Sequence, residues 1–160
     1  MTKALAITAA GVTAAILVSP SVSAGSRASS TTYRLRASMT PQQVVTPRNR
    51  PWKVPVSVRN AHGSFTGAMV LSGRDRTLRW SIHYTGIGSG PLQVADIHYG
   101  RPAQFGPVIK RLCGPCESGQ TGKKELSAWG ARSIKTGHSW ITIITGKYRN
   151  GVIRGQIKVS

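Results

Sequence analysis

The chain has 160 residues, with 22 lysines and arginines against four acids, a formal charge of +18. That length gives one domain rather than two. A domain near this size buries roughly two-thirds of its unfolded surface, so its core needs neither a metal nor many disulfides. Two cysteines exclude a disulfide-dense scaffold, and four carboxylates leave little for paired acid–base work.

The first 24 residues read as a secretory signal peptide. Lys3 supplies a positive start, Ala4 to Val18 an apolar run, and Val22-Ser23-Ala24 the small residues for cleavage after Ala24. The run is shorter than the roughly 20 residues that span a bilayer, and it is rich in Ala and Thr, which disfavours an uncleaved anchor. Losing Lys3 leaves 21 basic residues against four acids, a charge of +17. No five basic residues are consecutive; the arginines stand singly between apolar residues, as on the solvent faces of strands. Residues 25–32 are rich in Gly, Ser and Thr and read as a flexible leader before one β domain over 33–160.

Tyr33-Arg34-Leu35-Arg36-Ala37 alternates with period two, and Ser64 to Leu71 does so more loosely. Leu78, Trp80, Ile82 and Tyr84 alternate against Arg79, Ser81 and His83, which predicts a half-buried strand. Pro41, Pro47, Pro51 and Pro55 lack the donors a central strand needs, so their segment is expected as loop or interrupted edge, with Arg48-Asn49-Arg50-Pro51 inserted in it. Gly73-Arg74-Asp75, Gly86 to Pro91, Gly114-Pro115 and Asn150-Gly151 are turn signals. Glu125 to Ile134 has room for one or two helical turns, and Gly130 argues against more. Trp140 to Thr145 is a β-branched run suited to burial on both faces. Val152 to Val159 then alternates Ile153, Ile157 and Val159 against Arg154, Gln156 and Lys158. Short strands, turns and almost no helix predict an all-β fold, an antiparallel β-sandwich or barrel.

Ala95-Asp96-Ile97-His98-Tyr99-Gly100, followed far downstream by Gly151-Val152-Ile153-Arg154-Gly155-Gln156-Ile157, resembles the two signature blocks of the CHRD domain family. Gly63 to Gly67, Leu78-Arg79-Trp80, Gly106-Pro107-Val108 and the loop Leu112 to Gly119 are similar to further blocks, so the resemblance runs over about Tyr33 to Ser160. It implies an immunoglobulin-like or superoxide-dismutase-like sandwich, in exported proteins with no established catalytic activity. Three polar positions of the pattern depart. Asp96 stands for the first His of an Ala-His-Ile-His block, Ile144 for a His of the closing strand, and Val152 for the acid of Gly-Glu-Ile-Arg-Gly.

Asp96 and His98 are two apart, so on a strand they share a face. If the strands pair as the resemblance implies, Arg154 converges on them. One reading is a metal site. Zinc and copper sites take three or four ligands, and His62, His83 and His138 form no ligand-spaced pair. The other reading is a buried polar cluster, with Asp96 paired to Arg154 and His98 bonded to a backbone carbonyl. Cys113-Gly114-Pro115-Cys116 resembles the thioredoxin tetrad, yet loop sequence rather than a helix follows it. A structural disulfide is expected instead, contributing roughly 2 kcal/mol in the chain-entropy model. Trp80 and Trp140 are expected in the core, Trp52 and Trp129 at an exposed contact patch. No catalytic constellation and no cofactor motif is visible.

These observations describe a secreted, non-enzymatic interaction or envelope-associated module, extracellular at the cell envelope. The alternatives are a weak copper- or zinc-binding exported protein and a thiol–disulfide exchanger. Its expected partner is a protein of unspecified kind or an anionic envelope polymer, with peripheral contact to a membrane or wall surface. Nucleic acid is not expected, because export separates the two. No later segment of the mature chain is apolar enough to cross a membrane.

Overall fold

The period-two pattern that begins the domain forms a ten-residue strand, β1 (Ser30–Met39), in a computed structural model that describes residues 29–88 and 93–160. The expected signal peptide lies outside the described residues. There follow two short 3-10 turns (Pro41–Gln43 and Val56–Val58), β2 (His62–Ser72), β3 (Asp75–Thr85), β4 (Val94–Tyr99) and β5 (Val108–Cys113). The chain continues as β6 (Thr121–Glu125), α1 (Ala128–Lys135), β7 (Ser139–Ile144), β8 (Ile153–Gln156) and β9 (Lys158–Val159). The proline-rich segment between β1 and β2 is loop with those two turns, as its missing donors require. Three residues expected in the leader belong to the sheet instead. Ser30, Thr31 and Thr32 pair with Ser72, Leu71 and Val70, and their polar side chains stay exposed.

The strands form an antiparallel sandwich of two sheets, with orders β6-β3-β2-β1-β9 and β5-β4-β7-β8. Ser72 pairs directly with Asp75, so β2 and β3 are joined by the two residues Gly73 and Arg74. Gly73 has φ +57°, the positive value that such a tight hairpin demands. That turn sets the register of the larger sheet. Its inner face presents Leu35, Met39, Phe65, Met69, Leu78 and Ile82, each at most 1% exposed. They pack against Ala95, Ile97, Ile141, Ile143 and Ile153 of the smaller sheet.

The chain passes between the sheets four times, after β3, β5, β6 and β8, and two of these passages tie matching edges. After Gln156 the last strand leaves the smaller sheet, and β9 pairs with β1 of the larger. Thr40 and Arg154 exchange both backbone hydrogen bonds at the same edge. At the other edge the 114–120 loop joins β5 to β6, held by Gly119 N–H to Ile82 O and Cys116 N–H to Gln93 O. Helix α1 makes two turns, starting where Ser127 Oγ accepts the Gly130 N–H at 3.0 Å.

β4 and β7 are buried on both faces, unlike the strands of the larger sheet. The cause lies in the loops: residues 40–51 and 100–106 fold over the outside of the smaller sheet and cover polar side chains there.

Candidate functional site

Asp96 and His98 point to the outer face of the smaller sheet, since Ala95 and Ile97 face the core. Direct pairing then aligns two rows on that face: Asp96, Thr142 and Arg154, and His98, Trp140 and Gln156. The six side chains share one face, but β7 separates β4 from β8. The expected adjacency of the two signature segments is therefore corrected, and so is the pairing of Asp96 with Arg154. Asp96 instead accepts from Arg111 of β5 at 3.0 Å (Nε) and 3.3 Å (Nη2). Two irregularities in the β4–β5 ladder bring Arg111 to that position, and no spacing rule reveals them.

Trp140 is the centre of the cluster. It is buried as expected, 1% exposed, but on the outer side of its sheet rather than between the sheets. The His98 ring stacks on the indole at 4.2 Å and 8°. The Arg154 guanidinium carbon lies 3.8 Å from the ring centroid. Because β4 and β8 flank β7 on opposite sides, the indole stands between imidazole and guanidinium. Phe105 closes over it at 6.2 Å.

His98 Nδ1 donates to Gly106 O at 2.9 Å, which leaves Nε2 as an acceptor, buried and without a partner among the described residues. Burial pushes the imidazole pKa down, opposed by that backbone bond and by Asp96, while Arg154 adds to the depression. A histidine held neutral in the fold binds its proton more readily when unfolded. Stability is thus complete above the ordinary imidazole value of about 6.5 and falls as the pH drops through it. Denaturant melts between pH 7.5 and 5 are expected to show this loss, and His98→Phe is expected to flatten it. An unchanged slope in that variant would refute the assignment.

Arg154 is 3% exposed, and burial lowers its pKa to about 10, so it remains charged at neutral pH. Its Nη2 donates to Arg101 O at 3.3 Å, while Nη1 has no partner among the described residues. Gln156 Nε2 donates to Gly100 O and Gly137 O, and its Oε1 is likewise unpartnered. Among the described residues no three His, Cys, Asp or Glu side chains are grouped to hold a metal ion.

Cys113 and Cys116 form a disulfide. A turn and strand β6 follow it, not a helix that would activate a thiol. Trp129 is 46% exposed beside Tyr99, as an exposed contact residue should be. Trp52 differs: it is half-buried, edge-on to Tyr148 at 5.4 Å, because the proline-rich loop folds back onto the core.

The opposite side of the molecule carries a different pattern. Register across the larger sheet sets Arg34, Ala68, Arg79 and Lys123 in one row, and Lys158, Arg36, Thr66, Ser81 and Thr121 in the next. The five cations are exposed on one outer face, interleaved with small side chains and hydroxyls. The carboxylates of that face, Glu125 and Asp75, lie toward one end of it.

A family model for the CHRD domain matches residues 35–157. The chain belongs to the CHRD domain family. Domains of this family are generally extracellular-type, non-catalytic interaction modules. No curated protein and no solved structure gives a significant match. Both signature blocks of this CHRD domain now have structural meaning: the Asp96–His98 block supplies one wall of the Trp140 stack, and the Arg154–Gln156 block the other. Val152, where the resemblance expects an acid, is fully buried among apolar side chains, so Arg154 receives no carboxylate from its own segment.

Proposed function

We propose that this CHRD domain is a secreted, non-enzymatic module that attaches to an anionic polymer of the cell envelope through the outer face of its five-stranded sheet. The observation that carries the reading is the pair of rows holding Arg34, Arg79, Lys123, Arg36 and Lys158. Neighbouring strands are about 4.8 Å apart, so Arg79 and Lys123 are neighbours and Arg34 lies two strands away. A flat lattice of cations at such spacings suits a flexible chain of repeated anionic groups. The hollow that touches the rows, beside Lys123, is also lined by Asp75 and Glu125, so it does not favour a compact anion. The sequence favours the same environment: residues 1–24 have the form of an export signal, and the charge of +17 after its removal attracts polyanions. Thr66, Ser81 and Thr121 add hydroxyl donors between the cations.

Attachment of this kind releases counter-ions and weakens with salt. The mature protein should be retained on isolated anionic wall polymer at low salt and elute as salt rises. Arg34→Gln, Arg79→Gln and Lys123→Gln combined alter only exposed positions, so the fold should persist. Its log affinity against log salt is expected to be shallower by about two to three counter-ions. Equal retention of the triple variant, or retention indifferent to salt, would end the proposal.

A further inference from the structure

Arg154 is a buried cation with no counter-ion among the described residues. The chain's four acidic side chains are engaged or distant: Asp96 with Arg111, Asp75 and Glu125 on the other sheet, Glu117 in the disulfide loop. Stacking on Trp140 stabilises the guanidinium, and Arg101 O takes one of its five N–H groups. A buried charge left with a vacant donor costs several kcal/mol unless something completes it. Beside it, Gln156 has the converse vacancy, an unpartnered acceptor at Oε1.

Both residues line a cavity of about 260 Å³ between the smaller sheet and its covering loops. Val45 and Pro51 form one side of it, Pro102 and Ala103 another. The volume lies below the range of drug-sized pockets, so it suits a small metabolite or the end of a chain. The loop walls are apolar at Val45, Pro51, Pro102 and Ala103, the amides of Gln42 and Gln43 stand at the rim, and one cation and one unpartnered acceptor lie at the sheet. A single cation is a poor match for a phosphate dianion, which calls for several charged donors. A bare alkanoate is a poor match too, since it would leave Gln156 Oε1 unsatisfied.

We propose that this cavity binds a carboxylate whose neighbouring position carries an N–H or O–H donor. The carboxylate would neutralise Arg154, the donor would reach Gln156 Oε1, and a short apolar substituent would lie between the prolines and Ala103. A peptide C-terminus has this chemistry, and so does a free 2-hydroxy acid. The site is on the opposite side of the sandwich from the basic rows and does not depend on polymer attachment.

The test is calorimetric titration of the mature protein with four probes, together with the NMR resonance of the Arg154 Nε–H. The probes are N-acetyl-alanyl-alanine, its C-terminal amide, lactate and propionate. The acetylated dipeptide acid or lactate should bind saturably and shift that resonance. Binding of the dipeptide alone assigns the source as a chain terminus; binding of lactate alone assigns a free acid. The dipeptide amide and propionate should each bind at least about tenfold more weakly than the active probe. Arg154→Gln should abolish binding. Gln42→Glu, at the exposed rim, should weaken it several-fold with no change in melting temperature, which keeps the test valid if the Arg154 variant fails to fold. The proposal is overturned if neither acid shifts the Arg154 resonance at millimolar concentration, if acid and amide bind alike, or if inorganic phosphate binds as tightly as either acid.

Discussion

Trp140→Ala is expected to lower the unfolding free energy by roughly 3–5 kcal/mol, the range for deleting a large buried aromatic. The indole is enclosed by His98, Arg154 and Phe105, and its Nε1 donates to Tyr99 O at 3.2 Å. Removing it opens a cavity and also strips Arg154 of the π face against which its charge lies. The loss should therefore sit toward the top of that range. Trp140→Phe keeps a ring in place and should recover more than half of it. Urea denaturation followed by far-UV circular dichroism reads both, since the signal must not depend on the deleted tryptophan. A loss below about 1 kcal/mol for the alanine variant would mean that the stack is incidental to stability.

Gly155→Ala is expected to be nearly as damaging for the opposite reason. A methyl group there would fall into the Ser38 carbonyl and lie 3.0 Å from Met39 Cγ. The obstacle is the backbone of β1, which cannot swing aside as a side chain does. Either β8 must withdraw from β1 or the Thr40–Arg154 bonds must stretch. Overpacking of this type costs about 1–3 kcal/mol when side chains absorb it, and the rigid obstacle places this case at about 3 kcal/mol. Gly73→Ala is the useful comparison. Nothing lies within 4 Å of its added methyl, so only the cost of positive φ remains, about 1–2 kcal/mol. Equal thermal shifts for the two variants would show that close approach at Gly155 is not what matters.

The strands were legible because their side chains obey a two-residue period that physics imposes on any half-buried strand. Leu78, Trp80, Ile82 and Tyr84 show it directly, all buried along β3. The solvent-facing places of Arg34, Arg36 and Arg79 followed from the same rule. The two-turn helix, expected within Glu125 to Ile134, runs over Ala128–Lys135, because Glu125 closes β6 and Ser127 caps the helix. Three things were hidden. Period two tells which face a residue takes, not what covers that face, so the enclosure of Trp140 and Arg154 by loops 40–51 and 100–106 carried no local signal. Spatial order of strands is not sequence order, and β7 therefore intervenes unannounced between Asp96 and Arg154. The alignment of Arg34 with Arg79 and Lys123 depends on register, which the two-residue turn at Gly73 fixes one strand away from either end of that row. The leader was read too long for a simpler reason: three consecutive hydroxyl residues give no alternation, yet Ser30, Thr31 and Thr32 find a free edge of β2.

The change of sheet at Ile157 has a mechanical consequence. A sandwich held only by its apolar filling can part along either margin like the covers of a book. Here one margin is stitched by a continuous backbone and the other is latched by the segment after Cys113, so separation demands that a stitch or a latch fail first. A protease that nicked the chain between Glu117 and Gly122 would release that latch, while the passage through α1 from β6 to β7 and the seam at Ile157 would still join the two sheets.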